Sequence, residues 1–203
     1  MTAEEVIRRG ATYFSYGPNL STQTLLNSLG QGDYDVQSFE KLALPVRGEL
    51  KGYRIVFDKP SLQNPGHSEI NLELNTNGKV EGIVYDLDSE SLKYLKKSEP
   101  RCSLQIVTVL VNQQEVKCQA FMYDGPRQYS EPEEGYFSSL LRGAERRQLS
   151  RDYIDSLLTA AKSHRESLPG KQHAEVEGNA SESRIDCQLV DGPKSRLTPF
   201  SEK

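Results

Sequence analysis

Two segments far apart in the chain carry residue types that suit anion binding and proton transfer. The first is the run Tyr-Gly-Pro-Asn-Leu at positions 16–20, where a short aromatic strand pattern breaks before a predicted helix. The second is Glu99, a carboxylate between a predicted short helix and a predicted strand. Free N–H groups at a turn that opens a helix bind anions, and a glutamate accepts and returns protons. Together the two segments predict a small-molecule site.

Each segment also has an ordinary structural explanation. A glycine and a proline between a strand and a helix are typical of any tight turn. Glu99 precedes Pro100 and follows Lys96 and Lys97, which favours a solvated loop at the protein surface. The spacing alone therefore leaves both interpretations of each segment open.

Composition excludes several classes of function. The chain has 203 residues and a formal net charge of -4, and it contains no basic block of the kind that nucleic-acid-binding proteins carry. No apolar run approaches the roughly 20 residues needed to span a membrane. Residues 1–10 are polar and lack the apolar stretch of a secretory signal. We therefore expect a cytoplasmic protein that binds neither nucleic acid nor membrane.

Cysteine and histidine spacing argues against a metal centre. The three cysteines, Cys102, Cys118 and Cys187, are too far apart for a zinc pattern or a disulfide framework. The three histidines are equally scattered, so neither a metal-ligand spacing nor a histidine-based catalytic triad is indicated. We expect reduced thiols and a site that needs no metal or cofactor.

The apolar residues divide the chain into three parts. We predict an extension over residues 1–10, one ordered domain over residues 11–162, and a tail over residues 163–203. The tail is rich in Ser, Glu, Lys, Gly and Pro, so it cannot bury enough apolar surface to offset the entropy of ordering, and we expect disorder there.

Within the domain, strand patterns outnumber helical ones and do not alternate with them. This order predicts an α+β fold, a small and mostly antiparallel barrel or sheet flanked by helices. In the first half we predict a strand at 12–16, a helix from Ser21 or Thr22 to Gly30, and a long bent strand or hairpin at 42–57. Strands at 70–74 and 80–87, joined by an Asn77-Gly78 turn, lead to a short helix capped by Asp88 or Ser89. A hairpin of 104–111 with 116–123 follows, and then two helices around 136–141 and 153–158, the second capped by Ser150.

Five motifs in this order resemble the γ-glutamylcyclotransferase family, from about Thr12 to Leu158. The family has a Tyr-Gly-Ser-Asn-Leu turn, two characteristic strands, a catalytic glutamate after a short helix, and a late Tyr, Gly-Ala and Tyr. The matching residues are Tyr16-Gly17-Pro18-Asn19-Leu20, Gly52-Tyr53-Arg54-Ile55-Val56-Phe57, Val80-Glu81-Gly82-Ile83-Val84-Tyr85-Asp86-Leu87, Glu99, Tyr136, Gly143-Ala144 and Tyr153.

The resemblance implies a cofactor-independent cyclisation of a small γ-glutamyl substrate. The substrate's α-amine attacks its own γ-carbonyl, 5-oxoproline forms, and the attached amine or amino acid leaves. Because the attack is intramolecular, folding the substrate correctly supplies much of the rate enhancement. The resemblance makes Glu99 the residue that moves the proton, with the 16–20 turn and the hydroxyl of Tyr136 as substrate-binding groups.

The chain departs from the family pattern at the candidate site itself. Pro18 replaces a serine and so removes a hydroxyl and a backbone N–H, which Ser15 or Asn19 would have to replace. Pro100 stands where glycine is usual, and Arg101-Cys102-Ser103 stands where a tyrosine is expected. Two alternatives stay open, a binding or interaction module without activity, and a cyclotransferase for a γ-glutamylamine, a γ-glutamyl-lysine product or a secondary-metabolite conjugate. Oligomeric state is not indicated.

Overall fold

The fold is given by a computed structural model that describes residues 11–31 and 35–163. The predicted extension at 1–10 and all of the predicted tail except Ser163 lie outside the described residues. Five strands are present: β1 (Ala11–Ser15), β2 (Val46–Pro60), β3 (Ser68–Leu87), β4 (Cys102–Val111) and β5 (Gln114–Tyr123). A 3-10 turn (Pro18–Leu20) accompanies α1 (Thr22–Ser28), α2 (Val36–Ala43), α3 (Ser89–Ser98), α4 (Glu134–Arg146) and α5 (Arg151–Lys162).

The strands form a closed barrel in the order β1-β3-β2-β4-β5. All neighbouring pairs are antiparallel except β1 and β5, which close the barrel in parallel where Tyr13 lies opposite Gln119. Phe14, Leu50 and Val109 from three different strands are almost completely buried in the hydrophobic core. The predicted α+β class, a mostly antiparallel barrel flanked by helices, is confirmed.

The predicted turn at Asn77-Gly78 is wrong. β3 is one strand of 20 residues that pairs antiparallel with β2, and the loop between them spans residues 61–67. A Cβ at Gly78 would lie 2.2 Å from the Tyr53 carbonyl oxygen, beside the register shift between Lys51 and Tyr53. This glycine is therefore needed for the close approach of two strands, and an Asn-Gly pair there did not mark a chain reversal.

The predicted strand at 42–57 begins too early. Residues up to Ala43 belong to α2, and β2 starts at Val46 and runs without a hairpin to Pro60. A short apolar run does not distinguish a buried strand from the last turn of a helix, which explains the error. The bend predicted at Gly52 coincides with the register shift in β2.

Other local predictions are confirmed by their capping and turn geometry. Asn112 and Gln113 have φ values of 48° and 65°, as a two-residue turn between β4 and β5 requires. The Asp88 carboxylate accepts the Ser91 N–H at 2.7 Å at the start of α3. Ser150 Oγ accepts the Tyr153 N–H at 3.2 Å at the start of α5.

Helix α4 fixes the position of the 3-10 turn. A Cβ on Gly143 would lie 3.2 Å from Leu20 Cβ, so glycine lets the helix approach the turn closely. At the end of the helix, Arg147 Nε donates to the Leu20 carbonyl at 3.0 Å. The sequence motif Gly143-Ala144 therefore helps to place the candidate anion-binding turn.

No helix in the described part of the chain is both long and apolar enough to cross a membrane.

Candidate active site

A cavity of about 60 Å³ brings the two sequence segments together. Six of the residues that the sequence singled out line it: Tyr16, Gly17, Pro18, Asn19, Glu99 and Tyr136. The cavity lies where the end of β1, the 3-10 turn, the end of β2 and the end of α3 meet the first turn of α4. The Glu99 carboxylate and the turn thus face one small space, although they are far apart in the chain.

Leu20, the seventh predicted residue, does not line this cavity. Its side chain is fully buried, and its N–H donates to the Gly17 carbonyl at 3.0 Å. Its carbonyl accepts hydrogen bonds from Arg147 and from the hydroxyl of Tyr85. Leu20 therefore holds the turn in shape, and its N–H is already engaged within the turn.

Glu99 is positioned by the end of helix α3. It is the C-cap residue, and its N–H donates to the Leu95 carbonyl at 3.0 Å. Its own carbonyl accepts the Cys102 N–H at 3.1 Å, which starts the following strand. The backbone is fixed on both sides, and the side chain, 29% exposed, reaches from the protein surface into the cavity.

Lys59 and Glu69 are site residues that sequence reasoning missed. Lys59 Nζ lies 2.6 Å from Glu99 Oε2 and 2.9 Å from Glu69 Oε2, and its side chain is only 11% exposed. Burial disfavours the charge on Lys59, but the carboxylates of Glu99 and Glu69 outweigh that effect and raise the pKa of Lys59 above its ordinary value. The lysine is therefore a cation held between two carboxylates.

A β-bulge aims Lys59 at the cavity. Phe57 pairs with Ile70 and Lys59 pairs with Glu69, so two residues of β2 advance for one of β3. Bulges of this kind redirect side chains and occur next to active sites. Nothing in the spacing of the sequence indicates this bulge, so Lys59 had no visible relation to Glu99, which lies 40 positions further on.

Three tyrosines, of which Tyr13 and Tyr16 are buried and Tyr136 is partly buried, line the cavity with differently directed hydroxyls. Tyr16 donates its proton to the Phe121 carbonyl. Tyr136 accepts the Ile70 N–H at 3.1 Å, so its own proton can be donated to a ligand. Tyr13, which the sequence did not single out, accepts from the Asn19 side chain at 3.3 Å. Burial raises the pKa of all three phenols, so they are uncharged near neutral pH.

The side chains of the two neighbours considered from sequence have structural contacts or lie away from the cavity. The Asn19 amide donates to Tyr13 and accepts from Ser28 Oγ at 3.3 Å, so its side chain supports the turn. Ser15 is buried outside the cavity lining. The cation that does line the cavity is Lys59.

Cys102 lies beside the carboxylate without the properties of a nucleophile. Its Sγ is 3.5 Å from Glu99 Oε2, and burial raises its pKa to about 11. The thiolate is therefore scarce at neutral pH. Cys102 and Cys118 are both free thiols, as expected, and Cys187 lies outside the described residues. Among the residues that the structure describes, no cluster of His, Cys, Asp and Glu side chains could hold a metal ion.

A second space of about 340 Å³, which we call the adjoining groove, shares Pro18, Glu69 and Tyr136 with the cavity. Its described lining includes the side chains of Glu69, Glu133 and His67 and no lysine or arginine. The Glu133 carboxylate accepts the N–H groups of Gly135 and Tyr136, which lower its pKa. The groove therefore carries the carboxylate of Glu133 and that of Glu69, which is paired with Lys59, and it shares a wall with the cavity.

Comparison with known proteins agrees with this architecture. The model of the AIG2-like family matches residues 79–157, which include Glu99, Tyr136 and Gly143. A solved γ-glutamyl cyclotransferase is 18% identical with a TM-score of 0.59, over 85% of this chain and 94% of its own. No curated protein sequence matches the chain significantly.

Two further solved structures have similar folds. An uncharacterized protein from Homo sapiens is 18% identical with a TM-score of 0.61, over 74% of this chain and 88% of its own. YkqA from Bacillus subtilis is 26% identical with a TM-score of 0.60, over 78% of this chain and 55% of its own. The fold and the cavity together define a small α+β barrel with an acid facing a helix-opening turn. The resemblance to the γ-glutamylcyclotransferase family is confirmed, and the chain has the γ-glutamylcyclotransferase-like fold.

Proposed function

We propose that this protein is a γ-glutamylcyclotransferase that converts a γ-glutamyl substrate to 5-oxoproline and a free amine or amino acid. The observation that carries the proposal is the shared cavity, in which the Glu99 carboxylate faces the Gly17–Asn19 turn and the Tyr136 hydroxyl. A general base and hydrogen-bond donors around one small space are what an intramolecular acyl transfer needs.

The proposed reaction removes two protons from the attacking nitrogen. Glu99 takes the first from the substrate's α-ammonium group and releases it to solvent, and the freed lone pair forms a bond to the γ-carbonyl carbon. Glu99 then takes the second proton from the ring nitrogen and delivers it to the departing amine as the bond from that carbon to the leaving nitrogen breaks, which leaves the lactam N–H of 5-oxoproline. The proton of Tyr136 is available for the oxygen that gains negative charge during the attack. The chemistry is complete with these groups and involves no cofactor.

The adjoining groove supports a narrower substrate class within this function. We place the leaving group there, because the groove shares a wall with the cavity beside Tyr136. The Glu133 carboxylate in its lining repels a leaving group that carries its own carboxylate, such as the dipeptide of glutathione. An uncharged or cationic amine is favoured, which supports the γ-glutamylamine alternative. The free thiols are in keeping with a cytoplasmic location.

A mass-spectrometric screen for 5-oxoproline over a panel of γ-glutamyl substrates tests the proposal. The panel contains γ-glutamylamines, γ-glutamyl-ε-lysine, neutral γ-glutamyl amino acids and glutathione. We expect turnover, with the amines preferred. Glu99→Gln is expected to lower the rate about 10²- to 10⁴-fold, with little change in melting temperature because the side chain is partly exposed.

The exposed Glu115 at the β4–β5 hairpin provides the matched control, and Glu115→Gln is expected to retain full activity. Full activity of Glu99→Gln would exclude the assignment of the base. If no member of the panel is turned over while γ-glutamyl ligands still bind, the chain is a binding module with an inactive site.

A further inference from the structure

The cavity contains a charge arrangement that the proposed reaction does not explain. Its charged lining residues are Lys59, Glu69 and Glu99, one cation between two carboxylates. The lysine ammonium lies against Oε2 of the carboxylate that a substrate's α-ammonium must approach to lose its proton. Two ammonium groups at one carboxylate repel each other, so substrate binding favours movement of Lys59 away from Glu99.

Lys59 also limits the space beside Glu99. The space in the cavity, about 60 Å³, accommodates a few water molecules. Lys59 occupies the space beside Glu99 with a flexible stem, and a lysine side chain changes rotamer at little cost. Its movement would both release the carboxylate and enlarge the cavity.

The substrate supplies a new partner for the displaced lysine. The α-carbon of a γ-glutamyl group carries a carboxylate next to its ammonium, so an anion enters the cavity together with the cation. The turn offers fewer donors for that anion than its geometry suggests, because Pro18 has no N–H and the N–H of Leu20 is engaged with Gly17. Lys59 is the cation that lines the same cavity.

We propose that Lys59 exchanges partners when substrate binds: the substrate's α-ammonium replaces it at Glu99, and its own ammonium binds the substrate's α-carboxylate. This inference rests on the proposed function for the identity of the ligand. Lys59 thereby becomes a specificity residue that requires a carboxylate on the carbon bearing the attacking amine. Glu69, its partner across the bulge at 2.9 Å, keeps the displaced side chain at the cavity edge.

Two small ligands separate this role from a merely structural one without relying on turnover. 5-Oxoproline carries the carboxylate, and 2-pyrrolidinone is the same ring without it. We expect Lys59→Met to weaken 5-oxoproline binding at least tenfold by calorimetry or NMR titration, since a charge-assisted hydrogen bond is lost. Binding of 2-pyrrolidinone is expected to stay the same, and that result also shows that the cavity of the variant is intact.

Turnover gives a second readout of the same role. Lys59→Met is expected to raise KM for γ-glutamyl amides and not to raise it for 4-aminobutyramides, which lack the α-carboxylate. Lys79→Met removes another ion-paired lysine, half exposed on β3, and is expected to change neither measurement.

The outcomes distinguish this inference from the proposed function. Three results would overturn the role of Lys59. In Lys59→Met, the affinities for the two ring ligands fall equally, or the affinity for 5-oxoproline is unchanged. In the unaltered protein, 5-oxoproline does not bind. Binding of 5-oxoproline through Lys59 without turnover of any substrate would support the inference and refute only the proposed activity.

Discussion

The same substitution at two tyrosines of the cavity is expected to have two different consequences. Tyr16→Phe removes a proton that is already donated to the Phe121 carbonyl. Tyr136→Phe removes a hydroxyl that accepts the Ile70 N–H and keeps its own proton for a ligand. Both variants should be less stable, but only the second should lose transition-state stabilisation.

The magnitudes follow from the contacts. Each variant leaves one buried backbone group without its hydroxyl partner, which costs about 1–2 kcal/mol. In a domain of this size that loss lowers the melting temperature by about 2–8 °C. A hydrogen bond to a developing negative charge is worth about 1.5–3 kcal/mol, so Tyr136→Phe should lower kcat/KM about 10- to 150-fold.

The assay measures melting temperature and 5-oxoproline release for the two variants on the best substrate of the panel. Tyr16→Phe is expected to keep kcat/KM within about threefold of the unaltered protein, which is a smaller change than losing one neutral hydrogen bond to the transition state would cause. Equal losses of kcat/KM in the two variants would refute the assignment of the two protons. So would a Tyr136→Phe variant whose kcat/KM is unchanged, because Tyr136 would then have no donor role.

Two further expectations concern the frame of the site. The Glu81 side chain is 9% exposed. Its carboxylate accepts the Ser150 N–H at 2.8 Å and the Ser150 hydroxyl at 2.5 Å. Burial opposes the charge on Glu81, but these hydrogen bonds outweigh burial and lower its pKa. Since the folded pKa lies below the unfolded one, this stabilisation is complete above the ordinary carboxyl pKa of about 4.3 and is lost as the pH falls through the folded value. Unfolding by denaturant should show Glu81→Gln less stable at pH 7 and less sensitive to acid, and parallel pH profiles would contradict this. Gly143→Val should crowd Leu20 at the close helix contact, lower the free energy of unfolding by about 1–3 kcal/mol and reduce turnover by moving the turn. The control Glu145→Val, on the exposed face of the same helix, should lose only helix propensity. Equal effects of the two variants in calorimetry and turnover would show that the contact is unimportant.

The sequence predicted the parts of the fold that depend on local chemistry. Asp88 and Ser150 cap their helices because an oxygen side chain next to free N–H groups can accept from them locally. Ser21, the N-cap residue of α1, makes no such side-chain bond. The Asn77-Gly78 prediction failed because the conformation of a glycine depends on the neighbouring strand, here the Tyr53 carbonyl. The sequence predicts local conformational preferences, but it does not predict where two distant segments of the chain approach each other closely.

The same distinction applies to the candidate site. Glu99 and the 16–20 turn were identified through short motifs, and the structure places the Glu99 carboxylate and residues 16–19 around one cavity. Lys59 and Glu69 were not identified, because their positions depend on a bulge that appears only when β2 and β3 are paired. A lysine near the end of a strand is common in sequences, and its partners can be known only from the register.

Two residues at which the chain departs from the family motif, Pro18 and Arg101, lie near Lys59 in the structure. Pro18 removes a donor from the turn, and Lys59 brings a cation into the same cavity. Arg101 is the first of the three residues that stand where a tyrosine of the family is expected. It donates to the carbonyl of Pro60, and its guanidinium lies 5.5 Å from the Tyr123 ring centre. It thereby anchors the end of β2 directly after Lys59. The missing backbone donor and the buried cation therefore share one cavity, and an arginine supports the strand that carries the cation. The proposed partner exchange at Lys59 depends on this arrangement.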